Sequence, residues 1–169
     1  GLEIENNSIK GQLANNAVID IKNIGESLYF FGTGNGLSYG EIIDNNSDMK
    51  NGEIINTVNE VRKKYNYVFT TGGIGPTHDD ITAECIAKAF GVKLEQNSVA
   101  RDLIAKLCER NGIELNAARL RMANVPAGAR LIENSVSAAP GFQMGNVFVL
   151  AGVPKIMRDM FGGCKSELA

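Results

Sequence analysis

Hydrophobic positions in the last two thirds of the chain alternate between two spacings, one typical of helices and one of buried strands. Ile54, Val58 and Val61 recur at helical spacing and predict a helix over Glu53–Lys64. The continuous apolar stretches Tyr67–Thr71 and Val147–Leu150 predict short buried strands. Weaker patterns predict strands at 17–21, 28–31 and 129–132, and helices at 80–90, 98–110 with Ser98 as N-cap, 116–123, and from Pro154 onward.

This alternation of strands and helices predicts an α/β sandwich with a mainly parallel sheet. In sheets of this kind ligands bind beyond the carboxyl ends of the strands. The glycine-containing segments that follow the predicted strands are therefore expected to lie together at that edge of the sheet.

Length and composition predict one soluble domain spanning 1–169. The net charge of −2 indicates no nucleic-acid or membrane surface, and no run of residues is long enough to cross a bilayer. The first residues lack the basic and apolar regions of a signal peptide. Cys85, Cys108 and Cys164 form no metal-binding pattern and are expected to be reduced, buried thiols, which favours a cytoplasmic protein.

The segment between the Tyr67–Thr71 strand and the next helix predicts an anion site. Gly72, Gly73 and Gly75 let the backbone approach a ligand closely, and the start of a helix offers free N–H groups to a phosphate. Thr71 and Thr77 add hydroxyl donors. An ordinary strand–helix turn would have the same composition, but the cluster of glycines and polar residues favours ligand binding.

Asp79 and Asp80 follow directly, and two carboxylates beside a phosphate would repel it. A divalent cation between them, Mg²⁺ or another, removes this conflict, so we expect a metal or catalytic role for Asp80 and, beside it, Asp79. The alternative is that one of them caps the helix. His78, the only histidine, is expected to be solvated.

Two further turns flank the Val147–Leu150 strand. One contains Pro140 and Gly141, and the other contains Gly152 before the helix that begins at Pro154. Both compositions are those of plain turns. The second repeats the strand–turn–helix geometry of an anion site and is interpreted as another wall of the same site. Pro140, Gly141 and Gly152 are all predicted to be ligand-binding residues.

The motif Thr70–Thr82, reading TTGGIGPTHDDIT, closely resembles the signature of the molybdopterin-binding fold, and in particular of its CinA branch. The segments 116–123, 125–129, 139–142 and 151–157 agree with the same family, so the resemblance runs from about 51 to 161. The resemblance implies a three-layer α/β/α domain that binds a pterin or a nucleotide pyrophosphate. It also implies a functional role for Asp80 and a ligand-binding turn at Gly72, Gly73, Gly75 and Thr77.

Residues 1–50 depart from the family pattern. Phe31–Thr33, which contains Gly32, and 40–47, which contains Asp44, look like pieces of the family's opening segments. By this resemblance Gly32 is a ligand-binding position and Asp44 a second metal ligand beside Asp80. The family's second acidic position otherwise has no counterpart here.

The resemblance implies a cytoplasmic CinA-type domain that binds a nucleotide or pterin phosphate, such as molybdopterin. Its expected activity is the metal-dependent cleavage of a pyrophosphate bond in ADP-ribose-like dinucleotides. A non-catalytic binding module and a molybdopterin adenylyltransferase of molybdenum cofactor biosynthesis stay open as alternatives. Small-molecule phosphates are the expected ligands, and self-association into a homo-oligomer is expected, as is common in this family.

Overall fold

A computed structural model of the chain describes residues 51–165 and, within residues 2–33, the backbone of five short strands. Those strands are β1 (Leu2–Glu5), β2 (Ser8–Gln12), β3 (Val18–Ile24), β4 (Ser27–Leu28) and β5 (Phe31–Thr33). They pair antiparallel throughout, with β2 between β1 and β3. The strand predicted at 17–21 corresponds to β3. The extent of the domain over 1–169 stays a prediction.

Helices and strands then alternate from residue 51 onward. In chain order they are α1 (Asn51–Lys64), β6 (Val68–Thr71), α2 (Thr82–Phe90), β7 (Leu94–Gln96), α3 (Ser98–Arg110), α4 (Ala117–Arg121), β8 (Asn124–Pro126), β9 (Arg130–Ile132), β10 (Gly141–Met144), β11 (Val147–Leu150) and α5 (Pro154–Cys164). The predicted helices and strands in this part of the chain are all present. Strands β7, β8 and β10 were not predicted.

The central sheet has the order β6-β11-β10-β9. Strands β6 and β11 are parallel, with Val68 opposite Val147, whereas β10 is antiparallel to both β11 and β9. The expectation of a mainly parallel sheet is therefore wrong for the described strands, which pair mostly antiparallel. The reason is the two-residue turn at Gly145 and Asn146, which joins β10 and β11 as a hairpin and so requires antiparallel pairing.

Helices cover both faces of this sheet, which confirms the α/β class. Successive residues of a strand point to opposite faces, so Val68 packs with α1 and α2 while Phe69 packs with α5. On the α5 face, Phe69 stacks on Phe148 with ring centroids 4.7 Å apart, and Phe161 closes the cluster at 5.4 Å from Phe69. Residues 51–165 thus form three layers around β6 and β11, and both strands are packed from either side.

Two helix boundaries differ from those predicted. Helix α2 begins at Thr82 rather than at about residue 80, so Asp80 lies in the preceding turn. The N-cap of α3 is Asn97, not Ser98, because the Asn97 side chain accepts a hydrogen bond from the Ala100 N–H. Sequence preference alone does not separate two adjacent residues that are both good N-caps.

The three cysteines are buried thiols, as predicted. Among the residues that the structure describes, no helix is both long enough and apolar enough to span a membrane.

Candidate functional site

A cleft of about 690 Å³ opens where β6 and β11 end. One side is the glycine loop, defined here as residues 72–77, and the other is the turn from β11 into α5. The lining residues are Gly72, Gly73, Ile74, Gly75, Pro76, Thr77, Asp80, Met122, Ser137, Ala139, Ala151, Gly152, Val153, Pro154 and Ile156. Among the described residues that line the cleft, Asp80 has the one ionisable side chain. Because β6 and β11 are parallel, their carboxyl ends meet at this edge, as predicted.

The glycine loop is shaped by contacts that exclude side chains. Gly73 has a φ of +69°, and a Cβ at this position would overlap Oγ1 of Thr82. At Gly75 a Cβ would lie 2.7 Å from Oδ2 of Asp80. Across the cleft, a Cβ at Gly152 would lie 3.2 Å from the Cα of Gly72, so the two turns pack closely. The glycines therefore keep both turns compact and their backbones open to the cleft.

The Asp80 carboxylate holds the glycine loop in place. Its Oδ2 accepts hydrogen bonds from the Thr77 backbone N–H at 2.8 Å and from the Thr77 hydroxyl at 2.7 Å. Its other oxygen, Oδ1, accepts no hydrogen bond from the described part of the chain. Asp80 does not cap α2, because the N-cap position is Ile81 and carries no side-chain capping bond. One carboxylate oxygen thus fixes the loop and the second is available to a ligand.

The neighbouring Asp79 is arranged differently. Its Oδ1 lies 3.2 Å from Nε2 of His78, and both side chains are largely exposed. Asp79 does not line the cleft. A direct catalytic role for Asp79 stays a prediction, and the exposure of His78 agrees with its expected solvation.

A second, smaller cavity of about 60 Å³ lies next to the large cleft. Gly73, Ile74, Gly75, Asp80 and Met122 line both cavities, so the two are neighbours along the glycine loop. Three polar residues of the small cavity were not identified from the sequence: Glu84, Arg121 and Asn124. They come from α2, the end of α4 and β8, and no local motif signals that these elements meet.

The other predicted site residues are distributed over several places. Gly152 lines the large cleft and Pro140 the small cavity. Thr71 is buried at the end of β6. Gly141 is buried in β10, where a Cβ would overlap the carbonyl oxygen of Val149, and it lines neither cavity. Gly32 lies in β5, opposite Ile19, and Asp44 lies outside the described residues.

The start of α5 is the part of the cleft that is suited to binding an anion. Val153 is the N-cap and makes no side-chain capping bond, and Pro154 occupies the first turn. The first intrahelical bond runs from the Met157 N–H to the Val153 carbonyl oxygen. The N–H groups of Lys155 and Ile156 therefore have no intrahelical acceptor, and the helix dipole adds partial positive charge at this end. A phosphate is the kind of group that this end of a helix binds.

Asp80 could bind a metal ion together with the phosphates of a ligand, but it could not hold an ion with ligands from the described residues alone. Among the residues that the structure describes, no group of three or more His, Cys, Asp or Glu side chains could hold an ion. Mg²⁺ is commonly bound by one or two carboxylates together with substrate phosphates. Asp80 lines the cleft, and its Oδ1 accepts no hydrogen bond from the described residues, so this carboxylate fits that second arrangement.

The chain is similar to known proteins over the region that contains this cleft. The family profile described as a probable molybdopterin binding domain matches residues 50–168. A CinA protein of unknown function from Thermoplasma acidophilum superposes with a TM-score of 0.62 at 33% sequence identity, covering 71% of this chain and 72% of that one. The matched region includes the glycine loop and both cavities, and the profile leaves out Gly32 and Asp44.

Curated relatives are similar over the same region. A protein of Saccharolobus islandicus is 40% identical over 113 residues, which is 64% of this chain and 43% of the relative. One from Archaeoglobus fulgidus is 39% identical over 108 residues, or 64% and 45%. The chain thus spans less than half the length of these relatives. The profile match, the structural likeness and the TTGGIGPTHDDIT loop together show that the chain belongs to the molybdopterin-binding domain family and is related to CinA.

Proposed function

We propose that this chain binds the phosphate of a nucleotide or pterin in the large cleft. The observation that carries the proposal is the convergence of the glycine loop and the uncapped start of α5 on one cleft. Both present backbone to the ligand rather than charged side chains. Phosphates bound in this way are recognised by N–H groups and by the helix dipole.

The rest of the cleft suits an aromatic ring. Ile74, Met122, Val153 and Ile156 contribute apolar surface next to the phosphate-binding backbone. A volume of about 690 Å³ lies within the range that small-molecule sites span, roughly 300–1,000 Å³. A pterin or nucleobase packed on the Met122 side, with its phosphates towards Gly73 and Val153, would use both halves of the cleft.

We further propose that Asp80 makes this a metal-dependent pyrophosphatase acting on ADP-ribose-like dinucleotides. Oδ1 of Asp80 would hold a divalent cation, which when bound neutralises phosphoryl oxygens. Thr77 keeps the carboxylate oriented through its two hydrogen bonds. The loop N–H groups would stabilise the negative charge that develops as water attacks phosphorus and the bridging P–O bond breaks.

A non-catalytic binding module is the second candidate. It is favoured because, in the described part of the chain, Asp80 is the only carboxylate that lines the large cleft. Asp79 points towards His78 instead. A site with a single carboxylate can hold a phosphate ligand together with its bound cation without positioning a water molecule for attack.

The test is a turnover assay with ADP-ribose, FAD and ATP, with and without Mg²⁺. Asp80→Asn keeps an oxygen to accept the Thr77 bonds but removes the charge, so cleavage should be lost while the fold persists. Asp80→Ala loses both properties, and Asp102→Ala, an exposed aspartate paired with Arg101 on α3, is the matched control. Unchanged turnover in Asp80→Asn would contradict the catalytic proposal.

The same assay distinguishes the alternatives. Binding of ADP-ribose or of hydroxymethyl-dihydropterin diphosphate without turnover would support the binding module. ATP-dependent adenylylation of molybdopterin would instead identify an adenylyltransferase. Asp79→Ala, run beside the Asp80 variants, shows whether the adjacent carboxylate shares the role. Self-association stays a prediction, to be measured by sedimentation.

A further inference from the structure

One wall of the large cleft is built around the side chain of Asn134. This cleft wall, defined as residues 134–139, connects β9 to β10 and contributes Ser137 and Ala139 to the lining. The segment contains no helix or strand, so its shape depends on individual hydrogen bonds.

Asn134 provides most of those bonds. Its Oδ1 accepts hydrogen bonds from the backbone N–H groups of Val136, at 3.2 Å, and Ser137. Its Nδ2 donates to the Ala139 carbonyl oxygen at 3.0 Å. The oxygen and the nitrogen of the Asn134 side-chain amide are therefore both bonded to the backbone of the turn that begins at Asn134. This arrangement is similar to an Asx turn.

A second anchor comes from α5. Oδ2 of Asp159 accepts a hydrogen bond from the Ser135 N–H. The helix whose start borders the cleft thus also fixes this cleft wall. Asn134 itself lines neither cavity, so its effect on a ligand must pass through Ser137 and Ala139.

We infer that Asn134 is a positioning residue for the ligand site, because its amide sets the position of a wall of the cleft that the glycine loop also lines. The inference rests on the proposed binding function and deepens it. Loss of the amide removes the three hydrogen bonds that Asn134 makes within this segment. Among the described residues, the Ser137 hydroxyl still donates to the Ala139 carbonyl oxygen at 3.4 Å and Asp159 still holds Ser135. The ligand must then order more of this wall on binding. That ordering lowers affinity without removing any atom that touches the ligand.

The experiment compares Asn134→Ala with a matched asparagine elsewhere. Asn146 is also partly buried and also bonds only to backbone, donating to the carbonyl oxygens of Arg62 and Tyr65 at 2.9 and 2.7 Å. It lies in the β10–β11 turn and lines neither cavity. Asn146→Ala therefore removes a similar set of bonds at a distance from the cleft wall.

Calorimetric titration with ADP-ribose and with hydroxymethyl-dihydropterin diphosphate gives the Kd of each variant. We expect Asn134→Ala to raise the Kd about tenfold, which corresponds to ~1.4 kcal/mol. Asn146→Ala should leave the Kd within about twofold of the wild type, whatever its effect on thermal stability. Asn134→Asp keeps the two acceptor bonds and loses the donor bond, so an intermediate Kd is expected.

Each result has a separate meaning. Equal Kd values for the wild type and Asn134→Ala, or an equal weakening by Asn146→Ala, would overturn the role of Asn134 and leave the proposed function intact. A wild type that binds neither probe overturns the proposed function and this inference with it. If Asn134→Ala does not fold, Asn134→Asp carries the test, and a Kd equal to that of the wild type would overturn the inference.

Discussion

Substituting alanine for Gly73 tests the structure of the glycine loop most sharply. The residue combines a φ of +69° with a position where a Cβ would overlap Oγ1 of Thr82. The Gly73 carbonyl oxygen also accepts a hydrogen bond from the Thr82 N–H at 2.9 Å, which ties the loop to the first residue of α2. A methyl group at this position therefore meets both backbone strain and a buried neighbour.

The magnitude follows from these two effects. A non-glycine residue at a left-handed φ costs about 1 kcal/mol or somewhat more. Forcing a methyl group into a packed position costs typically ~1–3 kcal/mol. Thr82 is buried and begins a helix, so it has little room to move away. We expect Gly73→Ala to lower the free energy of unfolding by about 2–4 kcal/mol, which adds about 1 kcal/mol of backbone strain to the ~1–3 kcal/mol of overlap.

The assay is urea unfolding, with Gly91→Ala as the control. Gly91 has a φ of +66° and no atom within 4 Å of an added Cβ, so it has the same strain without the overlap. The difference between the two variants isolates the contact with Thr82. Repeating Gly73→Ala in a Thr82→Ala background should recover part of the loss, because the overlapping oxygen is gone.

Two results would refute this reasoning. If Gly73→Ala costs no more than Gly91→Ala, the loop does not approach Thr82 as closely as the structure shows. If the two substitutions at Gly73 and Thr82 are simply additive, they do not share a contact.

Three further predictions concern other parts of the fold. Gly141→Ala should lower the free energy of unfolding by about 1–3 kcal/mol in urea, because its Cβ would overlap the Val149 carbonyl oxygen across the hairpin. Burial, with a smaller contribution from the nearby Glu84, raises the pKa of Cys85 from 9.0 to about 11. Because the unfolded thiol ionises first, stability should fall between about pH 9 and pH 11, and a Cys85→Ala variant should show a smaller fall. Thr77→Val removes the hydroxyl bond to Asp80 but keeps the backbone one, and denaturation should show a loss of about 1 kcal/mol or less.

The sequence was sufficient for the features that depend on neighbouring residues. The glycine loop combines glycines, a proline and an aspartate within a few positions, and the strand before it is continuously apolar. These signals are local, so both the loop and its place at the end of β6 were predicted. Pro154 likewise opens α5, because a helix start tolerates the missing N–H.

Features that depend on contacts between distant segments could not be predicted from the local sequence. Gly141 looks like a residue of a turn, but the structure places it where β10 passes the Val149 carbonyl oxygen and Sδ of Met160. Arg121 and Glu84 belong to different helices, and only the folded chain brings them to the same small cavity. The antiparallel pairing of β10 also escaped prediction, since its short, glycine-led segment lacks a strong apolar run.

A titration followed through backbone amide resonances tests the central claim most directly. With ADP-ribose or hydroxymethyl-dihydropterin diphosphate added, the N–H signals of Gly72, Gly73, Gly75 and Gly152 should shift together and saturate at one Kd. The signals of Gly91 and Gly112, which lie outside both cavities, should stay in place. Saturable shifts at Gly91 and Gly112 with none at the loop glycines, or no shift with either probe, would contradict a phosphate-binding cleft at the glycine loop.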